Sequence, residues 1–217
     1  MHLHTGTHAV QQLLGMQVNM DTIFTTWLTA LIVFLVVFAA SRGKKLVPTG
    51  VQNCVEILIE ALLDQFKTNV GPKYRQVVPA LLTLFLFILT ANQLGLLPTD
   101  HMTASPTSDI NTTLGLAPIL IHALYIANQG VGKWVKHFFE PFPVFVLINL
   151  VEEISRPVTL AMRLFGNILA GEILLELLYA LAPWLIPIIW IAFSVFVGVI
   201  QAYIFTTLSS VYLKHSL

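Results

Sequence analysis

Uninterrupted apolar stretches make up most of the chain, and short segments carrying most of the charge separate them. Five stretches approach or exceed the length of a membrane crossing: Ile23–Ala40, Val77–Leu97, Thr112–Asn128, Pro143–Leu181 and Ile188–Leu213. A helix that crosses a bilayer requires about 17–25 predominantly apolar residues. The pattern therefore predicts an all-α integral membrane protein with about five transmembrane crossings.

The segment between the first two stretches has a different pattern, with one apolar and one polar helical face. The apolar positions are Val51, Cys54, Val55, Leu58 and Leu62, and the polar positions are Gln52, Glu56, Glu60 and Asp64. This spacing is typical of an amphipathic helix that lies on a membrane surface. A helix packed against a soluble partner is the alternative.

The last two apolar stretches are too long to cross a bilayer upright. At about 1.5 Å per helical residue, the stretch from Pro143 to Leu181 extends well beyond a hydrocarbon thickness of about 30 Å. We expect these two helices to form a long tilted hairpin, with a kink near Pro157 as one way to fit. The chain then divides into an N-terminal span (1–47), a surface helix (48–76), a helical hairpin (77–131) and the tilted hairpin (140–217).

Composition and charge agree with this class and add a topology. Hydrophobic residues make up 56% of the chain and charged residues 10%, whereas soluble domains carry about 25% charged residues. Nine of the 11 Lys and Arg residues lie outside the apolar stretches: Arg42, Lys44, Lys45, Lys67, Lys73, Arg75, Lys133, Lys136 and Lys214. The positive-inside rule places them in the cytoplasm, so the N-terminus lies outside and the C-terminus inside. The single cysteine, Cys54, excludes an internal disulfide.

A polar stripe crosses the fourth apolar stretch. At about 100° per residue, its members fall on one helical face; they are Asn149, Glu152, Arg156, Arg163 and Asn167. Glu172 and Glu176 project to nearly the opposite side. Each ionisable group at the bilayer centre costs at least about 2.5 kcal/mol, and such groups usually mark an ion path or a buried pair. Glu152 and Arg156, four residues apart, can also be a simple ion pair.

Arg163 has no acidic residue within one helical turn, because positions 159, 160, 166 and 167 are Thr, Leu, Gly and Asn. Its counter-charge must come from another segment or another protein, and a fixed cation there would hold a facing carboxylate ionised. Such a residue fits an ion-conducting subunit. It also fits a secondary transporter with an intramembrane Arg/Glu site, or a membrane anchor with buried ion pairs.

Four stretches resemble one known family. The stretch "SRPVTLAMRLFGNILAGE" (155–172) is similar to the signature of subunit a of bacterial F-type rotary ATP synthases. The stretches "ANQLGLLP" (91–98), "SPTSDINTTLGLA" (105–117) and "IQAYIFTTLSSVYL" (200–213) also resemble that family, in the expected order. The resemblance implies an ion-translocating stator in the bacterial inner membrane that has no catalytic site, cofactor or nucleic-acid partner. The implied partners are the c-subunit ring, the b-subunit peripheral stalk and, through the complex, the catalytic head.

The resemblance also implies roles for individual residues. Arg163 corresponds to the essential arginine, which faces the carboxylates of the c ring and separates two offset half-channels. Asn167 and Gln201 correspond to polar neighbours of that arginine, Glu172 to the acid of the outer half-channel and Asp109 to an outer-loop acid. From sidedness alone, we expect Glu172, Glu176 and Asp109 to line an outer path, and Glu152 and Glu153 an inner path.

One position departs from some members of the family. Where they carry a histidine seven residues before the glutamine, this chain has Ser194. Because a hydroxyl does not titrate in the relevant range, a relay through Ser194 requires a bound water. We therefore expect the transported ion to be a proton, with sodium as the alternative. His101 and His122 are further candidates for contact with the outer path.

Overall fold

The computed structural model describes residues 10–13, 16–42, 47–72, 74–96, 105–139, 142–181 and 185–214. Its elements follow in the order β1 (Val10–Leu13), β2 (Met16–Asn19), α1 (Met20–Ser41), α2 (Val51–Val70), α3 (Tyr74–Leu94), a 3-10 turn (Pro106–Ser108), α4 (Ile110–Gln129), α5 (Val131–His137), a second 3-10 turn (Pro143–Phe145), α6 (Val146–Leu181) and α7 (Ile186–Lys214). The predicted all-α membrane class is confirmed. A short antiparallel hairpin of β1 and β2, which the sequence did not predict, precedes α1.

Within the described ranges, the helices α1, α3, α6 and α7 are long and apolar enough to cross a membrane. They coincide with four of the five predicted crossings to within a few residues at each end. The 20-residue helix α4 coincides with the remaining one, and its crossing stays a prediction. At 36 residues, α6 is about 54 Å long at about 1.5 Å per residue, and it continues through the buried Pro157 without interruption.

Helix α2 is amphipathic as predicted, and its second half packs into the protein. Leu62, Phe66 and Val70 are buried against α3 and α7. Asn69 Nδ2 donates a hydrogen bond of 2.8 Å to Ser210 Oγ, which ties the end of α2 to the end of α7. The first half leaves Cys54 exposed. Only part of the predicted apolar face therefore remains available for a membrane surface.

The apolar core lies around α3. Its fully buried members come from α2, α3, α6 and α7 and include Phe66, Leu81, Ile88, Leu164 and Phe205. Buried hydroxyl and amide side chains dominate the opposite region, where α1 begins and α3 ends. The 3-10 turn before α4 is buried there and contacts α1, α3, α4 and α6. We call this region the Asp109 end of the bundle.

Candidate functional site

Arg163 lies on an exposed face of α6, seven residues after Arg156. Among the residues that the structure describes, no hydrogen-bond or ion-pair partner contacts its guanidinium. The neighbouring side chains of the same turn on the inner face, Leu160, Ala161 and Leu164, are buried in the helix bundle. The apolar side of this part of α6 therefore packs in the bundle, and the arginine points outward with no counter-charge among the described residues.

The second arginine of the stripe is neutralised inside the chain. Arg156 pairs with Glu152 one turn earlier on α6, and its guanidinium carbon lies 5.4 Å from the centre of the Tyr212 ring on α7. All three side chains border an open groove of about 570 Å³ between the start of α6 and the end of α7. The predicted Glu152–Arg156 pair is thus present, and it borders a space large enough for water.

Asn167 and Gln201, each expected near the arginine, contact each other directly. Asn167 Nδ2 on α6 donates a hydrogen bond of 2.9 Å to Gln201 Oε1 on α7. Gln201 is buried, with 2% of its surface exposed. Its Nε2 atom has no partner among the described residues. Asn167 lies four residues beyond Arg163 on the same side of α6, so this contact fixes α7 against the helix that carries the arginine.

Ser194 lies in a second cavity, between the later part of α6 and the earlier part of α7. The cavity has a volume of about 340 Å³. Its lining residues include Asn167, Gly171, Trp190 and Ser194. Trp190 Nε1 donates a hydrogen bond of 3.2 Å to the backbone oxygen of Gly171, which holds the two helices together at this level. A water molecule occupies about 30 Å³ in the liquid, so the cavity has room for several waters.

Glu172 and Glu176 lie on α6 beyond Arg163, on the side turned away from the arginine. Both are partly buried, and both are engaged by neighbouring groups. The Oε1 atom of Glu172 is shielded from solvent. The structure therefore keeps the predicted separation between the arginine and these two acids along one helix.

Asp109 lies in the connection between α3 and α4, within the predicted loop region, and is a buried N-cap of α4 with 5% of its surface exposed. Its Oδ1 accepts a hydrogen bond of 2.8 Å from the backbone N–H of Asn111 at the start of α4. Its Oδ2 accepts bonds from Asn19 Nδ2 at 2.7 Å and Thr22 Oγ1 at 3.3 Å, both at the start of α1. The carboxylate thus joins α1 to α4.

Two groups of polar residues were not singled out by the sequence patterns. Asn92 on α3 is fully buried and bonds to Thr107 in the 3-10 turn and to Gly198 in α7. The turn itself is held by Ser105, whose hydroxyl donates to the backbone oxygen of Ala91 at 3.0 Å. These residues lie in two of the quoted stretches, but an isolated Asn or Thr gives no periodic signal of burial.

His122 and Glu153 form another unpredicted contact. His122 Nε2 on α4 lies 3.2 Å from Glu153 Oε1 on α6. The Trp134 ring of α5 meets the histidine ring edge to face at 6.0 Å. His122 therefore lies beside an acid in the first half of α6 and not beside Glu172 and Glu176. His101, the other histidine considered for the outer path, lies outside the described residues.

The comparison with known protein families matches nearly all of these helices. The profile of the family described as "ATP synthase A chain" covers residues 23–214. This chain belongs to that family. The match includes every residue of the predicted site, and it decides against the secondary transporter that the sequence pattern had left open.

Individual relatives agree with the family. The protein named "ATP synthase subunit a" from Desulforamulus reducens is 41% identical over 215 residues, which span 93% of this chain and 81% of that protein. The protein of the same name from Acidothermus cellulolyticus is 38% identical over 217 residues, or 95% of this chain and 80% of that protein. The family likeness therefore extends over the full set of long helices.

Proposed function

We propose that this chain is the ion-conducting stator subunit of a rotary ATP synthase, in which Arg163 separates two ion paths. The observation that carries the proposal is the exposed guanidinium of Arg163, which has no counter-charge among the described residues. An arginine remains charged at any working pH. Because a charge facing lipid is costly, we expect the face of α6 that bears Arg163 to be covered by protein with acidic groups.

A ring of c subunits with membrane carboxylates supplies that covering protein. The positive charge of Arg163 holds the carboxylate in front of it ionised. An ion-loaded carboxylate is neutral and can travel through the lipid, whereas the charged form is retained at the arginine. An ion that crosses the membrane must therefore travel around with the ring and cannot pass Arg163 directly.

Two spaces on opposite sides of Arg163 along the helices support separate access paths. The groove at Glu152 and Tyr212 lies toward the start of α6, and the cavity at Ser194 lies toward its end. Glu172 and Glu176 belong to the second half of α6 and serve the path on that side. Water in the cavity at Ser194 passes the ion along at this position, where some family members carry a titratable histidine.

The proposed sides follow from charge. Arg42, Lys67, Lys133, Lys136 and Lys214 lie at the helix ends away from the Asp109 end, and the positive-inside rule places them in the cytoplasm. The groove at Glu152 then opens to the cytoplasm and the cavity at Ser194 toward the outer side. In this orientation, the N-terminus lies outside a bacterial inner membrane and the C-terminus inside.

Asp109 takes part indirectly in this proposal. Both of its carboxylate oxygens already accept hydrogen bonds from α1 and α4. It therefore holds the wall of the outer region while Glu172 and Glu176 exchange the ion. The b subunits and the catalytic head complete the assembly, and the transported ion is a proton, with sodium as the alternative.

ATP-driven ion uptake by vesicles that contain the whole complex tests the proposal. We expect uptake with the complete complex and none with a complex prepared without this chain. Uptake that persists without added sodium identifies the proton, and uptake that requires sodium identifies sodium. ATP hydrolysis by the isolated chain, or unchanged uptake in its absence, contradicts the proposal.

A further inference from the structure

We propose that Asn92 is a positioning residue that sets the register of α7, and thereby holds Gln201 in place against Asn167. The inference rests on the proposed function, because it concerns the alignment of the same two long helices. Asn92 lies on α3, and its hydrogen bonds to described residues go to α7 and to the 3-10 turn before α4. Its proposed effect on transport is therefore indirect and acts through the elements that it joins.

Both ends of the Asn92 amide are engaged by different elements. Nδ2 donates a hydrogen bond of 3.0 Å to the backbone oxygen of Gly198 in α7. Oδ1 accepts a hydrogen bond of 2.8 Å from the hydroxyl of Thr107 in the 3-10 turn before α4. Asn92 is completely buried. One side chain thus connects three elements in a place where water cannot replace a lost bond.

At Gly198, the backbone of α7 lies very close to the side chains of α3. A Cβ atom built on Gly198 would lie 3.3 Å from Asn92 Cβ and 3.1 Å from Gln93 Nε2. The neighbours of Gly198 in sequence are Val197 and Val199, so a shift of α7 by one residue would press a valine against Asn92. The glycine and the amide together therefore favour the observed register of α7 on α3.

Gln201 follows Gly198 by three residues, which is nearly one helical turn. The Asn92 bond therefore holds α7 one turn before Gln201, which accepts a hydrogen bond of 2.9 Å from Asn167. Without the Asn92 bond, the described hydrogen bonds that hold α7 at this level are the exposed bond of Gln93 and the two contacts with α6, Asn167–Gln201 and Trp190–Gly171. A displacement of about 1 Å in a reacting geometry can lower a rate about 100-fold.

The next residue along α3 provides a matched control. Gln93 Nε2 donates a hydrogen bond of 3.2 Å to the backbone oxygen of Val195 in α7, but this bond is exposed. Water can therefore replace the Gln93 amide, whereas it cannot reach the Asn92 amide. Gln93→Ala removes the same chemical group from the same pair of helices one position away.

Cysteine cross-linking measures the register without requiring transport. A Cβ atom built on Gly171 of α6 would lie 3.9 Å from Ser194 Oγ of α7, so the pair Gly171→Cys and Ser194→Cys would bring the two side chains into contact, which a disulfide requires. The native Cys54 is first replaced by serine. The pair Gly171→Cys and Val197→Cys detects α7 at a shifted level. Each cysteine pair is oxidised in three assembled complexes: one with the native Asn92 and Gln93, one with Asn92→Ala and one with Gln93→Ala.

We expect Asn92→Ala to slow the 171–194 cross-link several-fold and to increase the 171–197 cross-link. Gln93→Ala should leave both unchanged. In the same complexes without the added cysteines, Asn92→Ala should lower ATP-driven ion uptake about 10-fold or more. If Asn92→Ala prevents assembly, Thr107→Val is measured in its place, because it leaves the helices intact and removes the hydroxyl that orients the amide. It should shift the same two readouts in the same direction.

An unchanged cross-linking pattern in assembled Asn92→Ala overturns the proposed register role. A shifted pattern with undiminished uptake overturns its importance for transport. Equal effects of Asn92→Ala and Gln93→Ala show a nonspecific loss of helix packing and also contradict the proposal. Cross-linking does not depend on ion flow, so failure of the wider proposed function would appear separately, as undiminished uptake in Arg163→Ala.

Discussion

Asn167 Nδ2 donates a hydrogen bond of 2.9 Å to Gln201 Oε1, which joins the two long helices one turn beyond Arg163. Gln201 is buried whereas Asn167 is exposed, so the bond is partly shielded from solvent. A buried acceptor that loses its donor costs about 1–3 kcal/mol. The bond therefore fixes the distance between α6 and α7 at the level where the account places the barrier between the two ion paths.

A double-mutant cycle on this pair tests the coupling. We expect Asn167→Leu and Gln201→Leu each to lower ATP-driven uptake, because either change removes the hydrogen bond between α6 and α7. The double variant should lose less than the sum of both, with a coupling energy of about 0.5–3 kcal/mol. The uptake rate per assembled complex is measured for wild type, the two single variants and the double variant. Strictly additive losses would mean that the two side chains act independently.

Gly95 should tolerate no side chain. A Cβ atom there would lie 2.4 Å from Ser105 Cβ, so Gly95→Ala must push the 3-10 turn away from α3. Such overpacking costs about 1–3 kcal/mol, and we expect a lower thermal unfolding temperature of the complex in detergent. The matched control is Gly115→Ala in α4, where no atom lies within 4 Å. Equal unfolding temperatures for the two variants would contradict the described packing.

Asp109 should act as a structural cap. Asparagine is about as good an N-cap as aspartate, whereas replacement by alanine costs about 0.5–2 kcal/mol. We therefore expect Asp109→Ala to destabilise the complex and Asp109→Asn to retain most of the ion uptake, because Asn19 can rotate its amide to present an acceptor. Thermal unfolding and uptake are measured on the same preparation. Complete loss of uptake in an assembled Asp109→Asn complex would instead make Asp109 a direct ion carrier.

Glu172 should be required for flux and not for assembly. Glu172→Gln keeps the shape of the side chain and one acceptor oxygen but removes its titratable group. We expect ATP-driven uptake to fall strongly while the amount of assembled complex changes little. Glu60→Gln, on the exposed face of α2, is the control and should leave uptake unchanged. If Glu172→Gln conducts as well as the control, Glu172 does not belong to the outer path.

The long helices could be predicted from the sequence because hydrophobicity over 20 residues or more is a strong signal. The predicted stretch Pro143–Leu181 and the observed α6, Val146–Leu181, differ only at the start. The one-sided stripe with Arg163 and Asn167 follows directly from helical periodicity. Pairing between stripe positions, such as Glu152 with Arg156, also follows from spacing along one helix.

Contacts between distant parts of the chain could not be predicted in this way. Asp109 was predicted in an outer loop, but nothing in the sequence indicated that its carboxylate is buried and accepts hydrogen bonds from Asn19 and from the backbone N–H of Asn111. The role of Asn92 depends on Gly198, 106 positions away. His122 pairs with Glu153 because α4 packs beside α6. Periodicity identifies the face of a helix, and tertiary packing decides which partner that face meets.

The role of Arg163 as a barrier can be measured by ATP-driven ion uptake in vesicles that carry Arg163→Ala, beside wild type and Arg156→Ala. Arg156 is a suitable comparison because it lies on the same stripe and is already paired with Glu152. Assembly is checked on each preparation. We expect Arg163→Ala to abolish uptake in an assembled complex, whereas Arg156→Ala should retain a substantial part of it. Undiminished uptake in Arg163→Ala, or failure of that variant alone to assemble, would contradict the role of Arg163 as the barrier between two ion paths.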